Sequence, residues 1–391
     1  MSRLAINGGK PLRTRPWPKW PVFGDEERRQ LLDTFESGKW WYGEKVREFE
    51  RRFAAFQGAA HGITSTSGTT ALEAALVGVG IQPGDEVIVP PYTFVATASS
   101  VLRLGARAVF ADVELDSFNM DPQAVEQAVS ARTRAVMPVH FGGLPCDMDR
   151  LGDLAKEHDL RIVEDACHSW GSRWKGKGTG TLGDCGAFSF QMSKNITAGE
   201  GGIVVTDDEA LADAIRSFTN VGRGKGGPWY EHRFLGSNLR MTELQAAILL
   251  GQLTRLEEQT VKREQNAAFL TEGLEDLPGI RVQRTDPRVT RRSFHLYLLR
   301  VLEEEAGIPR DRFLGAIRAE GIVAHPGYPH PLYENPVFED QPEAHSPCPN
   351  ADLLCRQTVT IPQHVLLAEE NDMSDIVHAV RKVLDNKEEL Q

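Results

Sequence analysis

C-G-A-F-S-F-Q-M-S-K-N-I-T-A-G-E-G-G, from Cys185 to Gly202, reads as a buried strand that delivers one lysine into a glycine-lined turn. Ala187, Phe188 and Phe190 make the apolar strand. Gln191, Met192 and Ser193 then leave a single ammonium, Lys194, among residues that hydrogen-bond without adding charge, with Glu200 the nearest acid along the chain. A lysine desolvated in this way can lose its proton near neutral pH and attack a carbonyl, which is what holding an aldehyde cofactor as a Schiff base requires. A lysine in a turn after a strand is otherwise exposed and inert, so the surrounding sequence has to separate the two readings.

Upstream, strands and helices alternate. The β-type run from His61 ends in T-S-T-S-G-T-T and passes directly into A-L-E-A-A-L-V-G-V-G, a helix with Leu72, Ala75, Leu76 and Val79 on one face. Ser67, Gly68, Thr69 and Thr70 therefore offer backbone N–H groups and hydroxyls at a helix N-terminus, where the macrodipole favours an anion such as phosphate. An N-cap by Ser67 or Thr69 accounts for the same residues. P-G-D-E-V-I-V-P-P is a turn and strand, Tyr92 to Gly105 a helix, and A-R-A-V-F-A-D a strand. A helix from about Pro122 to Val129, a strand from Arg134 to Val139, a helix from about Met148 to Lys156 and the strand R-I-V-E-D follow. This succession predicts an α/β fold with a covered, mostly parallel sheet, whose sites lie at the carboxyl ends of the strands. Asp165 and Ser67 stand at such ends, as does the turn before Tyr92.

The flanks are less regular. R-P-W-P-K-W-P, from Arg15 to Pro21, has too many prolines for regular structure and reads as an arm packed on its own chain or a sister subunit. Helical patterns run from about Asp25 to Phe35 and from about Glu44 to Phe56, with S-G-K-W-W-Y-G between them. After Lys194 come a strand from Gly202 to Val205, a helix from about Asp208 to Phe218 and the basic loop G-R-G-K-G-G from Gly222 to Gly227. A long helix from near Met241 to about Leu270 then joins a strand from Phe294 to Val301, a helix from Arg310 to Glu320, the proline-rich H-P-G-Y-P-H-P-L-Y and a last helix from Asp372 to Val383. The expected division is an arm (1–24), a large domain including the linking helix (25–270) and a smaller α+β domain (271–391).

At 391 residues the chain can bury a large core, and a net charge of −11 without a compact basic face argues against binding nucleic acid or an anionic membrane. No apolar run is long enough to span a bilayer and the N-terminus has no apolar leader, which makes the cytoplasm the expected setting. The five cysteines, odd in number and without C-x-x-C, suggest neither a disulfide framework nor a zinc ribbon. The histidines lack metal-ligand spacing. No G-x-G-x-x-G follows a strand, and neither H-E-x-x-H nor G-x-S-x-G occurs. G-S-R-W-K-G-K-G, from Gly171, imitates a P-loop but has Gly178 where Ser or Thr must hold magnesium. What remains is an anion-binding turn at Ser67 to Thr70, an acid at a strand end (Asp165) and Lys194. Pyridoxal 5′-phosphate uses all three: a phosphate for helix-terminal N–H groups, a pyridine nitrogen for a carboxylate and an aldehyde for a lysine.

S-G-T-T-A-L, G-D-E-V-I-V-P-P-Y-T-F-V-A-T, V-E-D-A-C-H-S-W-G, F-S-F-Q-M-S-K-N-I-T-A-G-E-G-G and G-S-N-L-R-M-T-E-L-Q-A-A, in this order, resemble the DegT/DnrJ/EryC1/StrS family of pyridoxal-phosphate enzymes. W-P-K-W-P, S-G-K-W-W and F-S-F-Q are similar to the branch holding scyllo-inosose aminotransferases and 3-amino-5-hydroxybenzoate synthase. The resemblance implies the aspartate-aminotransferase fold (fold type I). It makes Lys194 the Schiff-base lysine and proton carrier, and pairs Asp165 with the pyridine nitrogen. It places Gly68, Thr69 and Ser189 at the phosphate, Phe94 on the pyridine ring and His168 at the ring's hydroxyl side. Asn238 would reach the phosphate of the neighbouring subunit in a homodimer with shared active sites. The family commonly has glutamine at the position of His168; an imidazole there can still hydrogen-bond, but its charge would alter the Schiff base's proton balance.

The implied activity is ping-pong transfer of an amino group from glutamate or glutamine to a keto-sugar or keto-cyclitol. The alternatives are a dehydrating or aromatising enzyme of the aminohydroxybenzoate type and a non-catalytic sensor. In the family's sugar dehydratases histidine replaces the lysine, so Lys194 disfavours that version. Arg223, Arg233, Arg240 and Arg292 are candidate binders of a substrate carboxylate or phosphate.

Overall fold

A computed structural model describes residues 3–226, 228, 230–339 and 347–390; Gly227, the end of the basic loop, lies outside the described residues. In chain order, α1 (Asp25–Ser37) and α2 (Glu44–Gln57) precede β1 (His61–Ser65), α3 (Gly68–Gly78), β2 (Glu86–Val89), α4 (Ala96–Arg103), β3 (Arg107–Phe110), α5 (Pro122–Ala128) and β4 (Thr133–Val136). Next come α6 (Met148–Glu157), β5 (Arg161–Asp165), the short β6 (Arg173–Trp174) and β7 (Lys177–Gly178), β8 (Cys185–Ser189), β9 (Gly202–Thr206) and α7 (Glu209–Thr219). The long α8 (Glu243–Leu274) leads to β10 (Ile280–Val282), β11 (Val289–Arg291), β12 (Leu296–Val301), α9 (Glu303–Ala306), α10 (Arg310–Ala319), β13 (His325–Pro326), α11 (Pro349–Gln357), β14 (Thr358–Pro362) and α12 (Glu370–Asp385).

The large sheet has the order β1-β9-β8-β5-β4-β2-β3. Its strands are parallel except β9, which runs antiparallel to both β1 and β8. β8 and β9 are buried along their whole length, as continuous apolar strands covered on both faces should be. In α2, Val46, Phe49 and Phe53 recur at helical spacing and are fully buried. Phe49 meets Phe190 edge-on at 5.2 Å and Phe53 meets Phe188 at 5.1 Å. Burying each such ring contributes about 1.5–3 kcal/mol, and here it clamps the strand that leads to Lys194. The N-terminus of α2 is closed by the Glu243 carboxylate, which accepts N–H bonds from Gly43, Lys45 and Val46 at 2.9, 3.0 and 2.9 Å.

A second, antiparallel sheet, β10-β12-β14-β13, packs with α10 and α12 around a separate apolar core. α8 serves both cores, with Ala246 to Leu256 in one and Ala267 to Leu274 in the other. The opening segment packs on its own chain: Leu4 enters the second core, Arg13 pairs with Asp372 and Asp375 at 2.7 Å each, and Trp17 Nε1 donates to the carbonyl of Gly321.

One reading needs correction. The helix expected from Tyr92 begins only at Ala96. After Pro90 and Pro91 the chain bends, burying Tyr92 against Phe118 and Phe141 and leaving Phe94 pointing outward. The small sheet β11-β6-β7 carries no pattern long enough to be read, since β6 and β7 are two residues each.

Candidate active site

A cavity of about 740 Å³ opens at the carboxyl ends of the parallel strands. Gly68, Thr69, Phe94, Asp165, His168, Ser189 and Lys194, seven of the eight residues singled out from the sequence, line it. The eighth, Asn238, does not; it is exposed and bridges Asn220.

At one end of the cavity lies the N-terminus of α3. Ser67 is its N-cap: Ser67 Oγ accepts from the Thr70 N–H at 3.2 Å and Thr70 Oγ1 accepts from the Ser67 N–H at 3.0 Å. The capping reading therefore holds, and it leaves the anion reading intact, because the box uses neither the Gly68 nor the Thr69 N–H. A Cβ built on Gly68 would sit 2.6 Å from Ser189 Cβ and 3.0 Å from Ser189 Oγ. Only glycine lets the helix approach β8 this closely, and the result is a cradle of backbone donors and hydroxyls suited to a phosphate.

Asp165 closes β5. It is 4% exposed, and both of its carboxylate oxygens have donors: Thr97 Oγ1 at 2.7 Å on Oδ2 and the Cys167 N–H at 3.2 Å on Oδ1. Burial, and next to it Asp165, pushes the Cys167 thiol well above its ordinary range, so this cysteine stays protonated and inert.

Lys194 ends a turn closed by its own N–H on the carbonyl of Gln191 at 2.9 Å. Gln191 Oε1 accepts from the N–H and hydroxyl of Ser193, and Trp20 Nε1, from the N-terminal segment, donates to the Met192 carbonyl at 2.8 Å. The Lys194 amine stands 5.9 Å from the ring centroid of the buried Trp170. Desolvation lowers its pKa, against an opposing pull from Cys167 and Asp165. Asp165, and not Glu200, is the carboxylate whose charge acts on it.

His168 is buried beside His295, with ring centroids 4.4 Å apart. Burial, with Lys194 adding to it, holds His168 well below the ordinary imidazole range. The imidazole is therefore neutral, and the charge expected to disturb a neighbouring Schiff base does not arise.

The lining residues to which the sequence gives no role include Thr97, Gln191, His295 and Tyr328. Thr97 was within reach, since it lies one helical turn after Phe94 in a motif already noted. His295 and Tyr328 arrive from distant segments with no spacing signal. None of Arg223, Arg233, Arg240 and Arg292 lines this cavity; Arg292 faces a different one of about 780 Å³ beside α8.

Known proteins resemble the chain over nearly its whole length. The chain is 36% identical over 423 residues to L-glutamine:2-deoxy-scyllo-inosose aminotransferase of Micromonospora echinospora, with 100% of each chain covered. It is 37% identical over 385 residues to 3-amino-5-hydroxybenzoate synthase of Amycolatopsis mediterranei, covering 94% of this chain and 96% of that protein. The crystal structure of a 3-amino-5-hydroxybenzoic acid synthase superposes with a TM-score of 0.89 at 35% identity, over 95% of this chain and 100% of that one. A family model matches residues 21–381, from the arm to the last helix, and with that extent the chain belongs to the DegT/DnrJ/EryC1/StrS aminotransferase family.

Proposed function

We infer that the protein is a pyridoxal-phosphate-dependent aminotransferase that moves an amino group from glutamate or glutamine to the ketone carbon of a sugar or cyclitol, acting as a homodimer in the cytoplasm. The observation that carries the reading is the convergence of the α3 cradle, the Asp165 carboxylate and the desolvated Lys194 amine on one cavity. These features fit the cofactor in size, charge and order. When bound, it supplies an aldehyde that carries the amino group and a pyridine ring that accepts electrons.

The chain's own residues divide the remaining work. Gly68, Thr69 and Ser189 would hold the phosphate, the missing Cβ of Gly68 letting Ser189 close against the start of α3. Asp165, oriented by Thr97 and the Cys167 N–H, keeps the pyridine nitrogen protonated. Phe94 covers one face of the ring, and His168, as a neutral donor, meets the hydroxyl side. Lys194, an amine of lowered basicity, would hold the aldehyde and be the group placed to move a proton at the substrate carbon.

Two observations support the shared-site dimer. Phe94 remains 58% exposed on one wall of the site, and Trp41 and Leu235 are 61% and 97% exposed. Asn238, in the same stretch as Leu235, does not line its own chain's cavity, which supports a role in a sister site.

The test is direct. L-glutamine or L-glutamate should shift the holoenzyme's visible absorbance band to shorter wavelength, and a keto-cyclitol or keto-sugar should restore it while yielding an aminated product by mass spectrometry. A donor and ketone panel that moves neither band nor mass overturns the reading. The likeness to 3-amino-5-hydroxybenzoate synthase keeps an aromatising variant in view, and the same mass measurement separates it by the loss of water from the product.

A further inference from the structure

Asn195, the residue after Lys194, fixes a proton. Its Nδ2 donates to the carbonyl of Ser293 at 2.9 Å, which turns Oδ1 toward His295 Nδ1 at 3.1 Å. An amide oxygen only accepts, so His295 Nδ1 carries the hydrogen. Burial above all, then His168, Lys194 and Arg263, keeps this imidazole uncharged. Its Nε2 is therefore a lone-pair acceptor, and it has no hydrogen-bond partner among the described residues. His168 has the opposite polarity. Its Nδ1 accepts from the Gly142 N–H at 3.4 Å, which leaves the hydrogen on Nε2. Two imidazoles 4.4 Å apart on the wall of one cavity thus present a donor and an acceptor side by side.

The acceptor shares the cavity with the reacting amine, whose charge acts on it. The ring of Trp170 has the Lys194 amine 5.9 Å from its centroid and the His295 ring 5.6 Å away, edge-on. A ketone brought to Lys194 enters the cavity whose wall His295 forms. A carboxylate carries no donor for a bare imidazole nitrogen, so the charged end of the amino donor does not match. A hydroxyl does.

We propose that His295 is a specificity-determining residue whose Nε2 accepts a hydrogen bond from a hydroxyl on a carbon flanking the ketone, so that the enzyme selects α-hydroxyketones over their deoxy counterparts. The inference rests on the acceptor class proposed above and narrows it. An acceptor covered by the bound ketone and left unpaired is what penalises the deoxy ketone, since a site built to bond a hydroxyl rejects an analogue that lacks it.

The experiment compares a polyhydroxylated cyclohexanone with the same ketone stripped of the hydroxyls on both flanking carbons, using wild-type, His295→Phe and His295→Gln holoenzymes. Wild type should favour the hydroxylated ketone. His295→Phe should lose about 10–100-fold in kcat/KM on it and change within about threefold on the stripped ketone and in the donor half-reaction. His295→Gln, which offers an amide oxygen, should recover part of the loss. Equal losses on both ketones, or a matching loss in the donor half-reaction, would show a role only in holding the Asn195 turn and overturn the proposal. So would a wild type indifferent to the hydroxyls, or a nitrogen-15 spectrum placing the proton on Nε2 of His295. A wild type that aminates neither ketone, with the tautomer as inferred, overturns the acceptor class itself.

Discussion

Thr97 Oγ1 donates to Asp165 Oδ2 at 2.7 Å, tying the first turn of α4 to the carboxyl end of β5. The bond orients the carboxylate in the plane from which it would meet a pyridinium. Thr97→Val keeps the shape and removes the donor; hydrogen bonds to charged groups contribute about 1.5–3 kcal/mol. Cofactor affinity should therefore weaken roughly 10–100-fold, measured by equilibrium dialysis, with Thr97→Ser close to wild type.

Lys194 supplies a pH-dependent prediction. Its pKa in the folded cofactor-free protein is depressed, chiefly by desolvation, below the unfolded value. Between those two values the unfolded chain binds a proton that the folded chain does not, so stability rises with pH across that window. Below the folded pKa the full cost of burying the ammonium is present. Lys194→Met removes the cost. The cofactor-free variant should be more stable than wild type at neutral pH, with the difference shrinking toward the unfolded lysine's pKa, as read by urea denaturation at several pH values. Its turnover should fall by roughly 10²–10⁴-fold or more.

Much of this was legible in the sequence because the cofactor's needs are local. The α3 cradle, Asp165 and Lys194 each sit within a few residues of a strand end, where alternation of strand and helix already places ligands. His295 was not legible: Asn195 and His295 meet only because Ser293, the entry to β12, docks its hydroxyl on the His168 carbonyl at 3.0 Å and its N–H on Ser172 Oγ at 3.0 Å. Contacts of that kind depend on packing between distant segments, and no periodicity records them. The reversal of β9 was hidden for a similar reason, since a fully buried antiparallel strand has the same apolar composition as a parallel one.

The strand carrying Asp165 also holds a structural carboxylate. Glu164, fully buried, accepts N–H bonds from Gly180, Leu182 and Gly183 at 2.7, 2.6 and 2.8 Å, and lies 2.7 Å from His140 Nε2. It pins the loop that turns into β8. Glu164→Ala leaves those donors without partners in a dry interior and should cost about 3–5 kcal/mol of stability. Chemical denaturation reads this, and the loss should appear in the cofactor-free protein as fully as in the loaded one.

Gly68→Ala tests the cradle. The added methyl would stand 2.6 Å from Ser189 Cβ, a contact that strand and helix relieve only by separating. The expected outcome is a cofactor that dissociates at least about tenfold more easily, with the folded core retained. The control is Gly152→Ala, which has open space around it and should behave as wild type.

The dimer is tested by mixing two defective chains. Lys194→Met lacks the amine but keeps Asn238, and Asn238→Ala lacks the reaching side chain but keeps Lys194. If Asn238 serves the sister site, a hybrid dimer contains one site with both residues intact and one with neither. Random reassortment should then restore roughly a quarter of wild-type activity at limiting cofactor, where each parent alone shows far less. If Asn238 served its own chain, no hybrid site would be whole and mixing would restore nothing. Leu235→Asp, which puts a charge at a leucine that is 97% exposed, should shift sedimentation toward monomer and abolish the complementation with it.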